Sequence, residues 1–219
     1  MSHRKFKAVI FDLGNVIVSA DNHVILPYFR THMAVDISDK RLEEILCGFA
    51  KGTPGKHIDE VPWWRQYCLG KISSRKFYET IRDELKLSKQ VTFSEFHRVW
   101  SARFTLIHGT LTIIKHLSHH KRYLISDTNE FDAEWIMEHF PEIPKNFDAH
   151  YYSFEHGTDK YGPQGWQWIM RQSQLPPEAH VFIDDRDTNV ERAVKLEMEG
   201  IVFTSPVQLE ADLKYLGYL

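Results

Sequence analysis

Cysteine is scarce: Cys47 and Cys68 are the only two in 219 residues, and their spacing matches neither a zinc knuckle nor a disulfide framework. A reduced, cytoplasmic protein is the simplest expectation. Long apolar runs are also missing, and nothing approaches the roughly 20 residues that a spanning helix needs. The N-terminal stretch passes from charge straight into a strand-like run with no small-residue cleavage site, so neither a signal peptide nor a membrane partner is expected. Charge of one sign is lacking too. Against 27 Lys and Arg stand 30 Asp and Glu, a net −3, which leaves no basic field to gather nucleic acid. Repeats and low-complexity tracts are absent, and a composition 42% hydrophobic and 26% charged is that of an ordinary folded chain.

What is present is an alternation. Short apolar or β-branched runs occur at Lys7–Phe11, Arg122–Ser126, Asp148–Ser153, His180–Asp184 and Gly200–Phe203. Such runs suit strands buried on both faces. Helical patterns over Thr110–Ser118, Glu130–His139, Gln164–Gln172 and Asn189–Leu196 separate the later ones. Strand alternating with helix predicts a doubly wound, Rossmann-like α/β core around a parallel sheet. Residues 19–103 break the rhythm, with helical periodicity over Arg41–Phe49, Ser74–Leu85 and Phe93–Phe104 and no convincing strand. They are read as an inserted helical cap domain, punctuated by Lys51–Lys56 and Gly70–Ser73, on a core of residues 1–18 and 104–219.

Chemistry-bearing side chains fall at the ends of these strands or just beyond: Asp12, Ser126, Lys160 and the pair Asp184-Asp185. Singly, each has a bland reading. An Asp or Ser after a strand caps a turn or helix more often than it reacts, a lone Lys is usually solvated, and an acid pair caps as readily as it binds metal. Together, at the carboxyl ends of one parallel sheet, they converge on one crevice. An acid, a hydroxyl, a lysine and a second acid there supply what phosphoryl transfer needs: a nucleophile, countercharge and hydrogen-bond donors.

In order, Phe11-Asp12-Leu13-Gly14-Asn15-Val16, Leu124–Asn129, Gly157–Lys160 and Val181–Asn189 resemble the four motifs of the haloacid dehalogenase superfamily. The first is similar to the branch that reads FDLGNV and includes bacterial phosphatases of α-D-glucose-1-phosphate. The resemblance covers essentially the whole chain and places a cap where the helical insertion lies. It implies a magnesium-dependent phosphatase acting on a small phosphate ester, with sugar phosphates favoured. Asp12 would form an aspartyl-phosphate, and Asp12, the Gly14 carbonyl and Asp185 would hold Mg²⁺. Ser126, Asp127 and Lys160 would contact the phosphate, aided by N–H groups at the start of the next helix. Asp184 and Asn189 would orient these groups.

Four positions depart from the resembled pattern. Gly14 stands where many superfamily phosphatases have a general acid, Asp127 where the branch has Asn, and Asp159-Lys160-Tyr161 where it has Arg-Lys-Pro. Asp127 would oppose a bound dianion unless its side chain turns away. The rival reading is a catalytically impaired member that serves as an interaction module. A receiver domain is disfavoured because its acid pair comes on the first strand, and a metal-free dehalogenase because Asp184-Asp185 favours magnesium. His116, His119 and His120 are read as a solvated helix end, and Trp63, Trp64 and Tyr67 as packing within the cap.

Overall fold

The computed structural model describes residues 8–47 and 63–219, so the expected loop Lys51–Lys56 lies outside the described residues. In chain order the strands are β1 (Ala8–Phe11), β2 (Val18–Ala20), β3 (Phe104–Leu106), β4 (Lys121–Ser126), β5 (Ala149–Tyr152), β6 (His180–Asp184) and β7 (Glu199–Val202). The helices are α1 (Leu26–His32), α2 (Asp39–Cys47), α3 (Trp63–Cys68), α4 (Ser74–Leu85), α5 (Phe93–Ser101), α6 (His108–His116), α7 (Glu130–His139), α8 (Glu142–Lys145), α9 (Ser153–His156), α10 (Gln164–Ser173), α11 (Asp187–Lys195) and α12 (Pro206–Tyr215).

Five strands form one parallel sheet in the order β5-β4-β1-β6-β7. The chain leaves β1 to one side through β4 and β5, then crosses to the other through β6 and β7. Strand order therefore reverses at β1, and the crevice of such a sheet opens at its carboxyl end. Every residue of β1 and β6 is buried because both faces are covered, which explains why these strands read as unbroken apolar runs. Val9, Phe11, Leu124 and Ile183 face one cluster with Ile114 and Leu213; Ile10, Ile125 and Phe182 face another with Trp166 and Ile169.

The insertion is bounded by strands that its helical reading missed. β2 and β3 pair antiparallel, Val18 opposite Leu106 and Ala20 opposite Phe104. The helix expected over Phe93–Phe104 starts where Thr92 caps it but ends at Ser101. Phe104 is a ribbon residue packed against the core, because the peptide oxygen of Arg103 accepts from Asp21 N–H and draws the chain into the pair.

Between the ribbon strands, α1 to α5 bury a separate cluster rich in rings, with Phe29, Tyr67, Phe77, Phe96 and Trp100. Trp63 and Tyr67 pack on Phe77, with centroids 5.1 and 4.3 Å away, as the packing reading expects. Phe131, from α7 of the core, is buried in the same cluster, 5.9 Å from Tyr67. A buried ion pair fastens the junction: Arg103 donates to Asp132 at 2.6 Å and to the Trp100 carbonyl, while Trp100 Nε1 and Asn129 Nδ2 donate to the two Asp132 oxygens.

The turn after α3 requires glycine. Gly70 has φ +62°, and a Cβ there would run into the carbonyl oxygen of Phe154. Gly70→Ala is expected to cost at least about 1–2 kcal/mol of left-handed strain, more with the clash, read as a lower urea midpoint.

A buried histidine, His180, and a partly buried one, His150, are expected to make stability fall in acid. Burial lowers the pKa of His150 and of His180, whose Nδ1 and Nε2 lie 2.9 Å from the Pro176 carbonyl and Ser173 Oγ. The unfolded chain protonates these rings near pH ~6.5 while the folded one resists, so stability is full above that pH and falls as pH drops towards the folded values. Melting at pH 7.5 and 5.5 should show a loss that shrinks in a His150→Gln/His180→Gln variant.

Candidate active site

Parallel register sets Asp12 and the acid pair at neighbouring strand ends, and a loop brings Lys160 to them. Phe11 lies opposite Leu124 and Ile183, and Asp12 N–H donates to the Ile183 carbonyl at 2.9 Å, so Asp12 emerges beside Asp184. Lys160 comes from the loop between α9 and α10. Its Nζ lies 2.7 Å from both Asp12 Oδ1 and Asp184 Oδ2. Trp166 Nε1 donates to the Lys160 carbonyl, and the Lys160 side chain is only 3% exposed.

Asp184 is fully occupied. Its Oδ1 accepts from Arg186 N–H and Asn189 Nδ2, and its Oδ2 accepts from Asn189 and Lys160. It therefore orients Lys160 while Asn189 orients it. Asp185 is half-buried and accepts from Asn15 Nδ2 at 3.0 Å. Asn15 has φ +57° and was missed by the sequence reading, although Asn is a residue that enters the left-handed region readily.

Electrostatics explains why the cluster attracts a cation. Burial pushes the Asp12 carboxyl up to about 7, against the pull of Lys160 and with the help of Asp184. Burial raises Asp185 as well, opposed by the Asn15 hydrogen bond. For Lys160 burial works against the charge, but Asp12 and Asp184 outweigh it and its pKa rises. Burial therefore outweighs the 2.7 Å contact with an ammonium that Asp12 shares with Asp184. Oxygens of Asp12, Asp184 and Asp185 lie within 4.8 Å of one another, the grouping among the described residues suited to a metal. Three carboxylates crowd around one ammonium, so a divalent cation bound there would relieve their repulsion, and hard oxygen ligands suit magnesium.

Ser126 is buried at the carboxyl end of β4, two residues past the partner of Phe11. The Asp127 carboxylate turns aside and accepts from Lys160 N–H at 3.0 Å, so the extra acid braces the lysine loop. Helix α7 departs from expectation: Phe131 N–H donates to the Tyr67 hydroxyl and Asp132 N–H to Asn129 Oδ1, so these two groups are already used by caps. A Cβ on Gly14 would meet nothing within 4 Å, so the missing acid there leaves open space. Asp159, Arg65 and Tyr161 join the surroundings of the site. Arg65 of α3 pairs with Asp159, and no local pattern reports a contact across 94 residues.

Residues 6–195 match the haloacid dehalogenase-like hydrolase family. The chain is 26% identical over 203 residues to D-ribitol-5-phosphate phosphatase of Bacteroides thetaiotaomicron, covering 88% of this chain and 89% of that one. A HAD family enzyme of the same organism, crystallised with magnesium and inorganic phosphate, superposes with a TM-score of 0.73 at 21% identity, over 91% of this chain and 95% of that one. A HAD-like family hydrolase of Porphyromonas gingivalis superposes with a TM-score of 0.75 at 19% identity, over 97% and 98%.

Proposed function

The chain belongs to the haloacid dehalogenase-like hydrolase family, and from that premise we propose that it hydrolyses a small phosphomonoester, a sugar phosphate by preference, with Asp12 as nucleophile and magnesium as cofactor. The observation that carries this is Lys160 bridging Asp12 and Asp184 at 2.7 Å each beside Asp185. The relative named for a sugar-alcohol phosphate supports the substrate class.

Asp12 and Asp185, with the Gly14 carbonyl, would hold Mg²⁺, which when bound supplies Lewis acidity at phosphate oxygens and neutralises the excess negative charge. The chain's own residues do the rest. Asp12 attacks phosphorus, the bond from phosphorus to the ester oxygen breaks, and an aspartyl-phosphate forms. Gly14 has no side chain to protonate the leaving oxygen, and we assign that proton to water. A second water then splits the acyl phosphate, restoring Asp12 and releasing inorganic phosphate. Lys160 holds positive charge against Asp12 and the transferring group, Ser126 donates to a phosphate oxygen, and Asp184 and Asn189 fix Lys160.

A panel of purified phosphate esters tests the reading. Phosphate release should depend on magnesium, stop on chelation and return when magnesium is restored. Uniform inactivity with magnesium present would favour the interaction module, and turnover indifferent to chelation would remove the metal.

A further inference from the structure

We propose that Arg65, reaching across from α3, is a positioning residue that holds Lys160 in place through the loop it occupies. Asp159 is the contact point. Its Oδ2 pairs with Arg65, and its Oδ1 accepts from Tyr161 N–H at 2.8 Å. The pair is shielded, with the two side chains 23% and 15% exposed. Tyr161 is flanked by two guanidinium groups, Arg65 at 5.3 Å and Arg192 at 3.9 Å from the ring centroid. Arg192 in turn donates to Asn189 Oδ1 at 3.3 Å, and Asn189 holds Asp184, which holds Lys160.

Lys160 is therefore gripped from both flanks and at its tip. Asp127 takes its N–H, Asp159 and Tyr161 tie the neighbouring backbone to Arg65, and Asp12 and Asp184 take its ammonium. Asp159 placed alone would add a negative charge next to an anion site and work against phosphate. Arg65 offsets that charge, and its planar guanidinium also lies over the Tyr161 ring. Because Arg65 lies in the helical insertion, whatever moves α3 also moves the geometry of the reacting group.

The kinetic arm rests on the phosphatase reading; the exchange arm does not. Arg65→Ala and Asp159→Ala should each lower turnover roughly 10- to 100-fold, mostly in kcat, since displacing a catalytic group by ~1 Å can cost that much. The double variant should lose no more than the worse single one, and Arg65→Lys should recover part of the loss. Without any substrate, hydrogen exchange at the amides of Lys160 and Tyr161 should quicken at least tenfold in Arg65→Ala, while the melting temperature confirms the fold. Unchanged exchange there, or losses that multiply in the double variant, would overturn the proposal. A selective rise in KM without loss of kcat would overturn it too, by making Arg65 a substrate contact. Inactivity of the parent chain on every ester would instead sink the phosphatase reading and leave the exchange result to decide this one.

Discussion

Asp12→Asn is expected to lower magnesium-dependent phosphate release by roughly 10⁴-fold or more, because an amide oxygen cannot form the covalent intermediate that divides the reaction in two. The fold should survive the change. Burial already favours the neutral form of Asp12, and an Asn carbonyl can still accept from Lys160 at the 2.7 Å spacing seen here. The variant should therefore melt at or slightly above the parental temperature while turnover disappears. Phosphate release and thermal melting on one preparation check both halves. Residual activity equal to the parent's would remove Asp12 from the chemistry, and a collapsed melt would make lost activity uninformative, in which case Asp12→Ser serves as the second variant.

The largest loss of stability is expected away from the chemistry, at Asp132. Asp132→Ala leaves the Arg103 guanidinium buried with its carboxylate gone, and Trp100 Nε1 and Asn129 Nδ2 lose their acceptors. Breaking one partner of a buried pair typically costs ~3–5 kcal/mol, whereas an exposed pair such as that of Lys115 and Glu142 is screened by solvent and contributes little. Urea unfolding should show that drop, and Arg103→Met combined with Asp132→Leu should recover only the part due to the stranded charge, since Trp100 Nε1 and Asn129 Nδ2 still lack their acceptors. A loss below ~1 kcal/mol for the single variant would mean that solvent reaches the junction.

How much could be read from residue order alone depends on the range of the force involved. β6 and the helices Glu130–His139 and Ser74–Leu85 appear with the expected bounds because local signals set them: an apolar run buried on both sides, Asn129 capping Asp132 N–H, and Ser73 capping Lys76 N–H. Asp12, Lys160 and Asp184 meet as strand-end logic anticipates, since parallel register aligns carboxyl ends wherever the sheet forms. The ribbon of β2 and β3 escaped notice because three-residue strands carry no periodicity, and Phe104 looked like one more turn of helix. The direction of Asp127 and the partner of Asp159 are set by residues far away in sequence, Lys160 and Arg65, so composition showed the odd charges without showing their answers.

Phe131 sits in the primary sequence of one lobe and in the oily interior of the other. An exchange of insertions between relatives, cut at the ribbon, would carry away the nest of rings and leave its plug behind. A graft of α1 to α5 therefore has to bring the first turn of α7 along to stay folded.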